Sequence, residues 1–284
     1  MKYCVLIIDG AAGRPLPQKE GKTSLELANT PNMDTLAKDA LIGLARTVPP
    51  GMEPSSACAC MSIIGYDPKI YYKGRSAIEA QSMGISIEQE ETAFRCNLVT
   101  IKDGKMADYS GGHISTVEAQ ELIKAVDGYL GDGEVSFYPG MSYRHLLKIR
   151  NHENAVNAVC TPPHDIPGQQ VAAYLPKGEG SEILRELMNK STAVLENHPV
   201  NLQRVSRGES PANSIWLFWP SGQVPKLPSF KDVYGLKAAM ISGVDLLKGL
   251  AGMAQMDVID IAGVTDGPDN NYAAQAEGAI ETLK

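Results

Sequence analysis

The stretch FRCNLVTIKDGKMADYS, residues 94–110, contains two alternating runs of apolar and polar residues on either side of Asp103-Gly104. Asp-Gly between two such runs is typical of a tight β-hairpin, because both residues tolerate the positive φ that the turn requires. The acidic segment Glu88–Glu91 separates this stretch from the preceding part of the chain. We therefore predict that an antiparallel unit begins here.

Further patterns continue this unit as far as residue 220. In three segments apolar and polar residues alternate with the period of a strand, and in two others the apolar residues have the spacing of an amphipathic helix. The strands are predicted at 134–140, 142–150 and 214–219, and the helices at 115–129, with Thr116 as the expected cap, and at 180–197. Residues 90–220 are thus predicted to form an α+β domain.

The flanking segments have a different pattern. VLIIDG, Val5–Gly10, is an apolar run without polar alternation, which is typical of a strand buried on both faces of a parallel sheet. Further strands are predicted at 42–48 and 256–263, and helices at 235–254 and 271–283. Residues 24–40 are predicted to be helical with an interruption at Thr30-Pro31, where a second helix begins. We predict an α/β fold in which residues 1–89 and 221–284 form a doubly wound, mostly parallel sheet, interrupted by the inserted α+β domain of residues 90–220.

Composition narrows the classes of function. The chain has 284 residues, a net charge of −7 and no tract rich in lysine and arginine, so binding to nucleic acid is not predicted. The apolar run at the start is too short for a signal peptide or a membrane span. The 5 cysteines are odd in number and scattered, which indicates a reducing compartment and predicts a cytoplasmic protein.

The segment PPGMEPSSACACMS, residues 49–62, places two serines at a predicted helix start. A serine after proline is most often an N-cap, but a hydroxyl at the positive end of a helix can also attack phosphorus. Local chemistry does not decide which of Ser55 and Ser56 has which role. Cys58 and Cys60 are predicted to fill the core, because no second Cys/His pair at zinc spacing accompanies them.

Other polar residues are candidates for a site. Asp9 follows the first predicted strand and is either a turn former or a ligand for a hard cation. His113 follows three small residues, which would let the backbone approach a ligand. Arg95 and Arg144 lie near the ends of predicted strands, where arginine suits carboxylate or phosphate recognition, and Lys248 could lie near an anion. Neither a P-loop nor a dinucleotide-binding glycine motif occurs.

The whole chain resembles the archaeal-type 2,3-bisphosphoglycerate-independent phosphoglycerate mutase family, which belongs to the alkaline phosphatase superfamily. The resemblance implies an alkaline phosphatase-like doubly wound core. The stretches that carry it are IIDGAAGRPL, SLELANTPNMDTLA, SIIGYDPKIYYKGRSAIEA, FRCNLVT, PPHDI, LPSFKDVYGLKAAMISGVDLLKGLA and MDVIDIAGVTDG, in the order of the family.

The resemblance also implies a glycolytic mechanism with a small phosphorylated substrate. Two divalent cations (Mn, Mg or Zn) would bridge the phosphoryl group, a serine would take it from 3-phosphoglycerate and return it to the 2-hydroxyl, and no 2,3-bisphosphoglycerate would be needed. Ser56 matches the serine, which is also a metal ligand, and Asp9 matches the first metal ligand. The positions that match the substrate cleft, or are expected in it, are Arg95, Asn97, His113, Arg144 and Lys248.

This chain departs from the family pattern at four places: Ala57, Ser110, His113 and Phe218-Trp219 stand where the family has an acidic residue or arginines. A homoserine kinase-like phosphotransferase is therefore an alternative. The family takes its remaining metal ligands from a C-terminal segment that we do not find after Gly267, so we expect a truncated chain that is inactive alone. A non-catalytic binding protein is the third alternative, and a homo-oligomer is possible.

Overall fold

The computed structural model describes residues 1–52, 54–223, 226–265, 267 and 269–284. Helices and strands alternate irregularly along the chain. The helices are α1 (Ser24–Leu27), α2 (Pro31–Ala37), α3 (Ser56–Ile63), α4 (Pro68–Tyr71), α5 (Arg75–Ser82), α6 (Thr116–Leu130), α7 (Ser181–Leu195), α8 (Pro199–Ser206), α9 (Phe230–Tyr234), α10 (Asp245–Met253) and α11 (Tyr272–Thr282). The strands are β1 (Glu91–Lys102), β2 (Lys105–Asp108), β3 (Val135–Tyr138), β4 (Arg144–Arg150), β5 (Ser214–Ser221), β6 (Ala239–Met240) and β7 (Asp257–Val258).

A five-stranded antiparallel sheet is the centre of the fold. Its order is β2-β1-β4-β3, and β5 pairs with β1 along Ala93–Val99. The hairpin around Asp103-Gly104 is confirmed, and both turn residues have positive φ, 52° and 70°. The strands predicted at 134–140, 142–150 and 214–219 are confirmed as well.

The main hydrophobic core lies between this sheet and two helices. Helix α6 packs on β3 and α7 packs on β5. The apolar side chains between them are almost inaccessible to solvent, and burying each one contributes about 1.5–3 kcal/mol. Among the largest of them are Phe94, Leu98, Leu122, Ile123 and Leu147.

The N-cap of α6 differs from the prediction. Ser115, not Thr116, is the cap, because its Oγ accepts a hydrogen bond from the Glu118 backbone N at 3.4 Å and donates to the Glu118 carboxylate at 2.8 Å. Thr116 is instead the first helical residue, and its Oγ1 accepts a hydrogen bond from the Ser142 backbone N.

A second, smaller core joins three helices outside the sheet. Ala57, Cys60 and Met61 of α3 pack with Ile78 of α5 and with leucines of α10. Cys58 and Cys60 are buried free thiols, so the prediction that they fill the core is confirmed. The domain boundaries at 90 and 220 stay a prediction, although every buried member of the larger core lies between residues 94 and 218.

Two predicted strands are absent from the described structure. Val5–Gly10 and Ile42–Val48 have no strand conformation, and the side chains of Val5 and Leu6 are 72% and 78% exposed. Both segments have strand composition, but a strand is stable only with hydrogen-bonded neighbours. No described strand pairs with either segment.

The predicted mostly parallel sheet is likewise not formed by the described residues. Their parallel pairing consists of β6 with β7, two residues on each strand. Residues 235–254 were predicted to be one helix, but β6 and a turn precede α10 there. Within the described ranges, no helix is both long enough and apolar enough to cross a membrane.

Candidate functional site

The start of α3 separates the two serines. Ser55 has extended backbone angles, and its Oγ accepts a hydrogen bond from the Cys58 backbone N at 3.3 Å, which makes it the N-cap. Ser56 is the first helical residue; it is exposed, and its hydroxyl has no hydrogen-bond partner in the described part of the chain. Because the cap is already supplied, the Ser56 hydroxyl is available at the positive end of the helix.

Asp9 lies on the side of the molecule that contains α3. Burial raises the pKa of the Cys60 thiol, and the negative charge of Asp9 raises it further. Asp9 itself is exposed in a turn with Gly10. No group of three or more His, Cys, Asp or Glu side chains that could hold a metal ion occurs among the described residues. The described donors therefore do not make up the two-metal site that the family resemblance implies.

The sheet brings three of the predicted substrate residues to one face. Arg95 and Asn97 are two positions apart on β1, so their side chains share a face. Arg144 of β4 is the cross-strand partner of Asn97, which places it on the same face. Arg95 and Asn97 are buried, and the Nε of Arg95 donates to the Asn97 Oδ1 at 3.1 Å. We call Arg95, Asn97 and Arg144 the sheet-face cluster.

A carboxylate from outside the sheet completes this cluster. Glu79 of α5 is buried, and its Oε1 accepts from the Arg75 Nε at 2.7 Å while its Oε2 pairs with the guanidinium of Arg95. Burial alone would raise the pKa of Glu79, but the charges of Arg95 and Arg75 hold it below the usual range of a glutamate. The carboxylate is therefore ionised at neutral pH and bridges two cations.

An aromatic wall adjoins the sheet-face cluster. The imidazole of His164 contacts the rings of Tyr109, Phe218 and Trp219 edge-on, with centroids 5.7–6.2 Å apart. The guanidinium of Arg75 lies 4.5 Å from the centre of the Trp219 ring, which is cation–π distance. Trp219 has φ 53°, a conformation that bulky residues rarely adopt, and its carbonyl accepts from the Ser76 Oγ at 2.6 Å. A strained β5 residue thus joins the sheet to the start of α5.

Two predicted substrate residues lie in other settings. His113 is exposed with φ 50°, and its backbone N donates to the Ser110 Oγ at 3.1 Å. Lys248 lies on α10, where its Nζ pairs with the exposed carboxylate of Asp260 at 2.6 Å. No hydrogen bond or ion pair between described residues connects either side chain to the sheet-face cluster.

Sequence reasoning missed Glu79, and Arg75 was not assigned to the site. Their i, i+4 spacing favours a helical ion pair, which is usually solvated and of little consequence. The pair belongs to the candidate site because Glu79 also contacts Arg95, which is 16 residues away in the sequence. The sequence identifies Trp219 only as part of a departure from the family pattern, and its contact with Arg75 has no signal in the sequence.

Comparison with known proteins gives consistent matches over the whole chain. A family model described as 2,3-bisphosphoglycerate-independent phosphoglycerate mutase matches residues 37–201. Proteins named 2,3-bisphosphoglycerate-independent phosphoglycerate mutase from Methanosarcina barkeri and Methanosarcina acetivorans are 51% and 50% identical over 284 residues. These matches cover 100% of this chain and 71% of each relative.

Two solved structures are also similar. A Pyrococcus horikoshii protein has a TM-score of 0.73 at 30% identity, over 97% of this chain and 65% of that one. The cofactor-independent phosphoglycerate mutase of Thermoplasma acidophilum has a TM-score of 0.55 at 28% identity, over 96% of this chain and 72% of that enzyme. The chain thus spans about two thirds to seven tenths of the length of the proteins it matches.

Proposed function

Because this chain belongs to the 2,3-bisphosphoglycerate-independent phosphoglycerate mutase family, we propose that it interconverts 3-phosphoglycerate and 2-phosphoglycerate through a phosphoserine at Ser56. The observation that carries the proposal is the division of roles at the start of α3. Ser55 caps the helix, and Ser56 presents an exposed hydroxyl at the helix N-terminus. Family membership favours this reaction over the homoserine kinase-like and non-catalytic alternatives.

The proposed reaction is a pair of reversible phosphoryl transfers. The Ser56 Oγ forms a bond to phosphorus as the bond from phosphorus to the substrate 3-oxygen breaks; the serine loses a proton and the 3-oxygen gains one. The 2-hydroxyl oxygen then attacks phosphorus as the bond from phosphorus to the Ser56 Oγ breaks; the 2-hydroxyl loses a proton and the serine regains one. Neither a nucleotide nor 2,3-bisphosphoglycerate is consumed. The N-terminus of α3 favours the negative charge that develops on the Ser56 oxygen and its phosphate.

The sheet-face cluster is proposed to bind the anionic groups of the substrate. Phosphoglycerate has a carboxylate and a phosphate, and guanidinium groups suit both because their N–H groups match paired oxygens. Arg95 and Arg144 supply the positive charge, and Asn97 supplies an amide beside it. Lys248 and His113 are proposed to contact the substrate from α10 and from the loop before α6.

Metal dependence stays a prediction. Asp9 and Ser56 are oxygen donors of the kind that Mg²⁺ and Mn²⁺ accept, but such ions take about six oxygen ligands. The described residues offer no cluster that completes the set, so we assign no step to a metal. An alkaline phosphatase-like arrangement of residues 1–89 and 221–284 is also proposed, supported by the parallel pairing of β6 with β7.

The serine assignment is tested by following labelled phosphate. The full chain, with Mn²⁺ supplied, is incubated with 3-phosphoglycerate labelled with ³²P, and label retained by the denatured protein is counted. We expect acid-stable label in the unchanged chain and in Ser55→Ala, and none in Ser56→Ala. Label in Ser56→Ala but not in Ser55→Ala would reverse the assignment. Formation of 2-phosphoglycerate, measured in parallel, tests the proposed turnover.

The same pair of variants should differ in stability. Ser55→Ala removes the cap of α3 and should lower the free energy of unfolding by about 1 kcal/mol. Ser56→Ala removes a hydroxyl without a partner among the described residues and should change stability by less than about 0.5 kcal/mol. Loss of label together with unchanged stability would therefore identify Ser56 as chemically necessary.

A further inference from the structure

We propose that Glu79 is a positioning residue that holds the guanidinium of Arg95 in place for an anionic group of the substrate, an inference that rests on the proposed function. Glu79 is not among the residues that the family resemblance or the sequence pattern assigns to the site. Its place is given by the structure alone, where α5 lies against the face of the sheet that contains Arg95 and Asn97.

The hydrogen bonds of Arg95 leave part of its guanidinium available. A guanidinium has five N–H groups. One, on Nε, donates to the Asn97 Oδ1, and another, on a terminal nitrogen, donates to the Glu79 carboxylate. The remaining three have no partner among the described residues. Arg95 is thus held at two points, with donors left for an oxyanion.

The charges around Glu79 also favour an anion. One carboxylate lies between two guanidinium groups, Arg75 and Arg95, so the three side chains together have a net positive charge. Arg144 adds a further positive charge on the same face. Fixing a long side chain before the ligand arrives reduces the entropy that binding would otherwise cost. Glu79 therefore raises affinity without contacting the ligand itself.

A purely structural role for Glu79 makes a different prediction, and the chain offers a matched control. Glu91, the first residue of β1, is buried and pairs with Lys148 at 3.0 Å and with Arg150 at 2.8 Å. Glu79 and Glu91 are both buried carboxylates with two cationic partners, but Glu91 is four residues before Arg95 on β1, and its ion pairs are with Lys148 and Arg150. Replacing either should destabilise the protein, whereas only Glu79 should affect ligand binding.

The experiment compares Glu79→Gln with Glu91→Gln in the full chain. Both tryptophans lie on β5, and Trp219 contacts Arg75, so intrinsic fluorescence can follow a titration with 3-phosphoglycerate. We expect Glu79→Gln to weaken binding by about tenfold, by analogy with the loss that follows when the hydrogen-bond partner of a metal-binding side chain is removed. Glu91→Gln should weaken it by less than about twofold. Glu79→Asp, which keeps the charge, should recover part of the affinity. Equal effects of the two glutamine variants would overturn the proposal.

A second measurement keeps the inference separate from the proposed function. The exchange of the Arg95 Nε proton with water is followed by NMR without ligand. We expect faster exchange in Glu79→Gln and unchanged exchange in Glu91→Gln. If the unchanged chain does not bind 3-phosphoglycerate but Arg95 responds in this way, the proposed substrate is wrong and the positioning role stands. If Arg95 exchange is the same in both variants, the positioning role is wrong whatever the substrate is.

Discussion

Helix α10 offers two glycines whose replacement by alanine should have opposite effects on stability. A Cβ on Gly249 would meet the backbone carbonyl oxygen of Ile78 in α5 far inside van der Waals contact. A Cβ on Gly252 would meet only the Gln81 side chain, its Cγ at 3.7 Å and its Nε2 at 3.8 Å, which are ordinary contacts. The two positions lie on the same helix, so the intrinsic preference of that helix for alanine is the same at both.

The sign of each change follows from two contributions. Alanine in place of a helical glycine stabilises a helix by about 1 kcal/mol. At Gly249, α5 and α10 would have to separate by roughly 1 Å, and overpacking of this kind costs about 3 kcal/mol because a backbone atom cannot rotate away. Gly249→Ala should therefore lower the free energy of unfolding by about 2 kcal/mol, and Gly252→Ala should raise it by up to about 1 kcal/mol.

Urea unfolding followed by circular dichroism measures both changes. For a chain of this size class, 2 kcal/mol corresponds to a melting temperature lower by about 4–8 °C. Because Gly249 is adjacent to Lys248 and α5 holds Glu79, the same variant should also weaken binding of 3-phosphoglycerate. The reasoning is refuted if Gly249→Ala is as stable as the unchanged chain while Gly252→Ala behaves as expected.

Two further predictions concern buried polar groups. Burial, together with the charge of Arg95, lowers the pKa of His145 to about 3 from its ordinary 6.5, and its Nδ1 accepts from the Gly140 backbone N. Between pH 6.5 and pH 3 the unfolded chain therefore binds a proton at His145 that the folded chain does not bind. The free energy of unfolding falls as pH falls below 6.5, by about 2 kcal/mol between pH 7 and pH 5. His145→Asn should remove that dependence in urea titrations at the two pH values. The second prediction concerns Arg204, which is buried and pairs with Glu118; Glu118 also pairs with the half-exposed Arg207. In thermal unfolding, Arg204→Ala should lower the free energy of unfolding by about 3 kcal/mol and Arg207→Ala by less than about 1 kcal/mol. Equal losses would contradict this account.

Local chemistry explains which parts of the fold could be predicted. The turn at Asp103-Gly104 depends on the φ preferences of two adjacent residues, so the hairpin follows from the sequence. The sequence limits the N-cap of α3 to Ser55 or Ser56, and the hydrogen bond from the Cys58 backbone N identifies Ser55 as the cap. These features involve groups only a few residues apart, and short-range patterns report such contacts well.

The errors and omissions involve distant partners. Val5–Gly10 has the composition of a buried strand, but composition does not supply a neighbouring strand, and the segment is exposed. Glu79 has the spacing of a solvated helical ion pair, and only its contact with Arg95 shows that it belongs to the candidate site. Arg95 and Asn97 could be chosen from the sequence because family resemblance identified them, whereas no pattern along the chain predicts what holds them.

The pairing of β1 with β5 sets the order in which the protein can assemble. Synthesis delivers β1, β2, β3 and β4 first, and their hairpins need only short loops. One edge of β1 stays unpaired until β5 is made, because the β5 residues that pair with Ala93–Val99 are more than 110 positions later in the chain. Until Ser214–Ser221 leaves the ribosome, that edge presents unpaired N–H and C=O groups beside apolar side chains, which is a template for association with other chains. Slow translation while β5 is still inside the ribosome should therefore increase aggregation of the nascent protein, whereas a pause after Ser221 has emerged should not.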